Sequence, residues 1–161
     1  MQQNKSQAGF SLIELLIVVA IIGIIAAIAI PNLIASKRAA NEASAVSSVR
    51  VISNAEHAFY LTAGNNNYAS ITELESQHLI DASLGSGSKS GFGFQVTPLN
   101  NGAERPNFVV SSIPLVTGAV NATGGRRFGV SATGVIYTDV GTVDAHYGAV
   151  ADLTAGTSRT F

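Results

Sequence analysis

Between Lys5 and Lys37 the only ionisable side chain is Glu14. It stands at the head of a run, Leu15 to Ile30, that contains no polar side chain. An ionised group in lipid costs roughly 2.5–3.5 kcal/mol on insertion scales, so a carboxylate kept there needs a donor or a positive charge. Ser11-x-x-Glu14 fits a capping box, with the carboxylate near the positive end of a helix dipole. That reading accounts for Glu14. It leaves unexplained why Gly9 precedes Phe10 and why the polar leader, Met1 to Gly9, is so short.

The other chemistry-bearing side chains are scattered. His57, His78 and His146 have no further ligand at metal-binding spacing. Asp139, Asp144 and Asp152 lack the pattern of a calcium loop and read as solvated loop acids. There is no Gly-x-Ser-x-Gly elbow. Gly85-Ser86-Gly87-Ser88-Lys89-Ser90-Gly91 lacks both the glycine before Lys-Ser and the strand-to-helix setting of a phosphate loop, and reads as a flexible connector. Asn121-Ala122-Thr123 matches a glycosylation sequon only weakly. Phe59 and Tyr60 read as packing residues. The expectation is no enzyme, no metal and no cofactor.

The elements that carry these residues follow from periodicity. From Phe10 to Ala35 the chain is apolar and long enough to cross a bilayer, which takes about 20 residues. From Asn32 to Leu61 the helix becomes two-faced. Ala39, Ala43, Val46, Val49, Ile52, Ala55 and Phe59 form one stripe. Lys37, Arg38, Glu42, Ser47, Arg50 and Glu56 occupy the other face. A helix from Phe10 to Leu61 would run about 78 Å, ending at Gly64 and Asn65-Asn66-Asn67. Gly23 weakens it and Pro31 removes a backbone bond and kinks it.

Beyond the long helix, Ser70-x-x-Glu73 caps a short helix through Ile71 and Leu74 toward Leu79, with Glu73, Glu75 and Asp81 solvated. Strand patterns follow at Phe92–Val96, Phe108–Ile113, Arg127–Ala132 and Val135–Thr138, with turns at Asn101-Gly102 and Thr133-Gly134. Such short connections favour an antiparallel sheet, covering Val46, Val49, Ile52 and Phe59 with one face and leaving the other polar. Asp139 to Phe161 is small, Gly-rich and reads as an irregular tail. The fold class is thus α+β, a long N-terminal helix kinked near Pro31 and packed on a small antiparallel sheet. The expected divisions are a polar leader 1–9, a membrane-crossing half 10–35, an amphipathic half 36–62 and a globular domain 63–161.

Composition narrows the function further. The 161 residues are 47% hydrophobic and 12% charged, with net charge −1 and no cysteine. No basic face points to nucleic acid, and no disulfide or cysteine-metal framework is possible. A secretory signal cut after Ala29, giving a start at Ile30, is one rival reading. An uncleaved membrane-anchored binding protein is another. Lys37 and Arg38 after the apolar run, against Lys5 alone before it, lean the positive-inside rule toward a cytoplasmic bulk, although long domains cross largely regardless of charge.

Gly9-Phe10-Ser11-Leu12-Ile13-Glu14-Leu15-Leu16-Ile17-Val18-Val19 resembles the cleavage and methylation motif of type IV pilins and type II secretion pseudopilins, and Pro31 falls where that family kinks its helix. Lys89-Ser90-Gly91-Phe92 and Gly134-Val135-Ile136-Tyr137 look like a bacterial pilin-like subfamily. The resemblance implies a prepilin peptidase and N-methyltransferase acting at Gly9 and Phe10. It implies a homopolymer assembled through Phe10, Leu12, Glu14, Leu15, Leu16, Gly23 and Pro31, with Glu14 meeting the α-amine of a neighbouring subunit. It implies a precursor held in the bacterial inner membrane bilayer, an assembly platform there, and a final extracellular pilus or periplasm-spanning pseudopilus. Many relatives staple their C-terminal loop with a disulfide, which this chain cannot do. Major pseudopilins carry a calcium loop; none is recognisable here, which tilts the expectation toward the pilus.

Overall fold

The computed structural model describes residues 9–100, 105–118, 120–139, 146–154 and 159–160. Leader residues 1–8, the Asn101-Gly102 turn and Asp144 lie outside them. The chain divides into two compact units, Met1–Ser36 and Lys37–Phe161. One helix, α1 (Leu12–Leu61), contributes to both.

In the first unit α1 begins on the C=O of Ser11, which accepts the N–H of Leu15 at 3.2 Å. The helix continues through Pro31. The proline ring leaves the carbonyl four residues earlier without its donor, and one residue on the Asn32 side-chain amide donates to the C=O of Ile28 at 3.1 Å.

In the second unit the elements are α1, α2 (Ile71–Ser76), α3 (Ala82–Gly85), β1 (Ser88–Lys89), β2 (Phe92–Leu99), β3 (Asn107–Pro114), β4 (Arg127–Ser131), β5 (Ile136–Asp139), α4 (Val150–Thr154) and β6 (Arg159–Thr160). The strands form one sheet in the order β1-β2-β3-β4-β5-β6, every neighbour antiparallel. α2 starts as its sequence dictates, with a full capping box between Ser70 and Glu73.

Residues 85–91, expected to be a loose connector, are ordered structure. Asp81 caps α3, its carboxylate accepting the N–H of Leu84 at 2.7 Å. β1 and β2 are then joined by Ser90 and Gly91, both with positive φ (51° and 76°), as a two-residue hairpin whose twist matches its strands demands. Glycine meets that demand without strain; the serine does so beside its hydrogen bond from Ser44 Oγ at 2.9 Å.

The core lies between α1 and the sheet face carrying Phe92, Phe94, Phe108, Val110, Phe128 and Val130. Its helix side differs from the expected stripe. Ala39 and Ala43 are exposed, and Ser48, Ser53 and Glu56 are buried in their place.

The expectation of an irregular tail and a polar outer sheet face is overturned. On that outer face Val109 packs with Tyr147 and Leu153 in a second small core, edged by Leu99, Tyr137 and Val150. β6 adds to the sheet edge beside β5. Alternation along β3 puts Val109 and Ser111 on this side, where Ser111 Oγ and His146 Nδ1 lie 2.6 Å apart. Asp139 is therefore no loop acid. It ends β5, is 3% exposed and accepts from Arg127 Nη2 at 2.8 Å, while the same guanidinium stacks 4.1 Å above the Tyr147 ring. Asp152 accepts the N–H groups of Gly148 and Ala149 ahead of α4.

Gly129 is what lets Tyr147 and Leu153 seat on β4, because a Cβ there would run into both side chains. Gly129→Ala is expected to lift that segment and lower stability by about 1–3 kcal/mol. All four tyrosines (60, 68, 137 and 147) lie in the second unit. Tyrosine fluorescence during urea unfolding of the detergent-held full chain therefore measures it, and an unchanged midpoint would show that the second core contributes little.

Candidate functional site

Gly9 and Phe10 precede α1 in non-helical backbone, and Phe10 is 85% exposed. The bond between them is thus outside the helical hydrogen-bond ladder and open to a protease, which needs an extended substrate. Glu14 lies in the first turn of α1, with Oε2 3.5 Å from the N–H of Ser11. That is one arm of the capping box, at its long limit. The carboxylate is exposed and carries no ion pair among the described residues. It remains available to a positive charge from outside the chain.

Leu12, Leu15 and Leu16, and every large apolar residue on to Leu33, are exposed. This helix holds a stretch long and apolar enough to cross a membrane, and none of that stretch is buried. Gly23 has nothing within 4 Å of where a side chain would begin, so no packing within the chain requires glycine there. Gly9, Phe10 and Glu14 share the helix entrance, and Gly23 and Pro31 lie further along the same helix. The chemistry open to this segment is peptide-bond exposure, a lone anion and a lipid-like surface.

In the second unit, the face of α1 expected to be solvated is instead used for fastening. Arg38 Nε and Nη2 donate to the carbonyls of Ala122 and Val120 at 3.1 and 2.9 Å. Asn41 reaches Thr123 O at 3.0 Å. Glu42 accepts the N–H of Gly125 at 2.9 Å and Arg126 Nη2 at 2.6 Å. These contacts hold the β3–β4 connection against the helix. Nothing in one sequence pairs Arg38 or Glu42 with residues some eighty positions on. Thr123 of the sequon uses its hydroxyl on the Val116 backbone.

Glu56 was readable in principle, since it continues the 3–4 spacing of Val49, Ile52 and Phe59. It is 0% exposed, with Oε2 accepting the N–H of Ala69 at 3.0 Å and Oε1 lacking a hydrogen-bond partner among the described residues. Burial pushes its pKa up to about 7; the Ala69 N–H opposes this and Glu73 adds to it. Asp81 is held at about 2, chiefly by the Leu84 N–H, with Ser83 and Lys89 helping. Burial lowers the pKa of His146. No three of His, Cys, Asp and Glu group as a metal site among the described residues.

A single long helix capped by an apolar, acid-bearing entrance and packed on an antiparallel sheet is the pilin-type α+β arrangement. The prokaryotic N-terminal methylation motif matches residues 4–30. A Pseudomonas aeruginosa fimbrial protein is 31% identical over 134 residues, covering 83% of this chain and 79% of that protein. The type II secretion system core protein G of Aeromonas hydrophila is 38% identical over 66 residues, 41% of this chain and 45% of that protein. The type IV major pilin PilA of Myxococcus xanthus is 46% identical over 57 residues, 35% of this chain and 26% of that protein. For these last two the match spans less than half of the relative's length. No solved structure matches significantly. The chain belongs to the type IV pilin and type II secretion pseudopilin family.

Glu56 makes stability depend on pH. Its folded pKa of about 7 exceeds the ordinary value of 4.5, so folding favours the protonated form. The penalty is absent below pH 4.5, grows from there to pH 7, and totals about 3 kcal/mol above it at 1.36 kcal/mol per pH unit. Glu56→Gln is expected to unfold at higher urea than the parent at pH 8 and to lose that advantage near pH 4.5. A difference that stays constant with pH would show that Glu56 does not titrate with folding.

Proposed function

We propose that the protein is a non-enzymatic structural subunit of a type IV pilus-like filament. It is made as a membrane-anchored prepilin, cleaved after Gly9, N-methylated at Phe10 and assembled through α1. The observation that carries this reading is the fully exposed apolar helix with one carboxylate at its entrance, directly behind an accessible Gly9–Phe10 bond. In lipid and then among neighbouring helices, that surface finds an apolar surround that the chain itself does not provide.

Glu14 supplies register. Unit charges about 4 Å apart attract by about 4 kcal/mol at an effective dielectric of 20, enough to offset the burial of the carboxylate against a neighbour's new α-amine. Gly23 and Pro31 supply pliancy: together they cost a helix interior about 4 kcal/mol relative to alanine, so the segment between them is where α1 unwinds most readily on leaving lipid. A pseudopilin of a type II secretion system is the second reading, supported by the core protein G relatives. The division into leader 1–9, core half 10–35, amphipathic half 36–62 and domain 63–161 is part of the same proposal.

The test is the N-terminal mass of the protein from its own cells. A methylated Phe10 start is expected; an intact Met1 makes it an uncleaved anchor, and an Ile30 start a secreted domain. Sheared surface filaments containing the protein favour the pilus over the pseudopilus. Glu14→Leu is expected to be processed yet to lower assembled filament by about tenfold or more, and normal assembly would remove the register role.

A further inference from the structure

The second unit carries two flanks of opposite character. α3 packs at the β1 edge of the sheet, and α2 packs on α3. On the other side of α1, a groove of about 400 Å³ lies between the helix and Phe128 of β4 on the inner sheet face. Ala43, Val46 and Phe128 line it together with the ion-paired Glu42 and Arg126, the latter 5.8 Å over the Phe128 ring. Arg50 separates it from a smaller hollow of about 240 Å³ against Ile136. Arg50 is exposed and makes no hydrogen bond or ion pair with the described residues. Most of the other described basic side chains are engaged: Arg38 on carbonyls, Lys89 on Asp81, Arg126 on Glu42 and Arg127 on Asp139.

The opposite flank is acidic, and its Ile71 and Leu79 pack on the chain's own core. Glu73 and Asp81 are exposed, Glu75 is half-buried, and Ile71 and Leu79 are half-buried beside them. Glu73 is occupied by the Ser70 N–H and hydroxyl, and Asp81 by Lys89. Glu75 has no hydrogen-bond partner among the described residues.

We propose that the groove is the docking site for the α2 flank of a second copy of this chain, with Glu75 of that copy on Arg50. Each side supplies what the other lacks: an acid on one and a base on the other, neither with a partner among the described residues of its own chain. Opposite potentials speed encounter and penalise the wrong register. The two patches are different surfaces of one chain, so the contact is head-to-tail. It leaves an open groove at one end and a free flank at the other, and so propagates rather than closing as a dimer. This inference rests on the filament reading and names the lateral contact that reading requires.

The test uses the full chain in its own cells with Arg50→Glu, Glu75→Arg and the double exchange. Each single exchange is expected to lower assembled filament about tenfold, and the double exchange to recover it to within about threefold of the parent. Since the chain has no cysteine, Arg50→Cys with Glu75→Cys gives an independent readout, a ladder of covalent multimers on oxidising filaments. Single exchanges that assemble like the parent, a double exchange no better than the singles, or filaments whose cysteine pair stays monomeric would each overturn the docking site. A parent chain that keeps its leader and never enters filaments overturns the filament reading instead, and this inference with it.

Discussion

The rest of the structure depends on one mismatch: the first part of α1 satisfies its backbone entirely within itself but offers its side chains nothing to pack on. Backbone closure is what allows a chain segment to sit in lipid at all. The side chains are a different matter. Every large apolar residue from Phe10 to Leu33 is exposed, and each would gain about 1.5–3 kcal/mol on full burial. No monomer in water sustains such a surface. The environment that completes this helix comes from outside the chain: on the proposed reading, acyl tails first and then other copies of the same helix. In either environment one uncompensated carboxylate is conspicuous, which is why Glu14 carries the argument about register.

Within the second unit α1 meets the opposite situation, a sheet that covers it, and there polar chemistry does the fastening. Arg38, Asn41 and Glu42 take backbone groups of the β3–β4 connection. Glu56 takes the N–H of Ala69 just before α2. A hydrogen bond to a charged group contributes more than a neutral one, and each of these ties together segments far apart in sequence. With no disulfide available, such ties and the small second core around Tyr147 are what keep the connections and the C-terminal segment on the sheet. Glu56 does so at a cost, since a buried carboxylate with one unsatisfied oxygen is tolerated best when protonated.

The unlike flanks of the second unit also bear on assembly. α2 and α3 pack toward the β1 edge, while a groove lies between α1 and Phe128 of β4, beside Arg50. A chain that must contact copies of itself without closing a ring needs two unlike surfaces, and the asymmetry of this unit provides them. On the proposed reading, bulk adhesion falls to α1 and lateral choice of neighbour to the globular unit.

The sequence by itself determined much that rests on short contiguous patterns. The apolar run, the lone acid, the Gly9–Phe10 junction, the Ser70–Glu73 capping box and the alternation of the four main strands are all short-range patterns, and each appears where its residues stand. The family was legible for the same reason: its mark is a contiguous string. Tertiary structure alone decided which face of α1 is inner, because serines and one glutamate are buried where alanines were expected, and only the shape of the sheet selects small or hydrogen-bonded residues there. It alone decided that residues 85–91 form a hairpin start, since a type I′-like turn on Ser90-Gly91 gains its stability from pairing with β2. It alone raised the C-terminal stretch from apparent tail to second core, because Tyr147 and Leu153 acquire meaning only against Val109 and the bare backbone of Gly129. Periodicity reports what a segment can bury; which surface it is buried against is a property of the whole chain, closed by contacts that no local pattern contains.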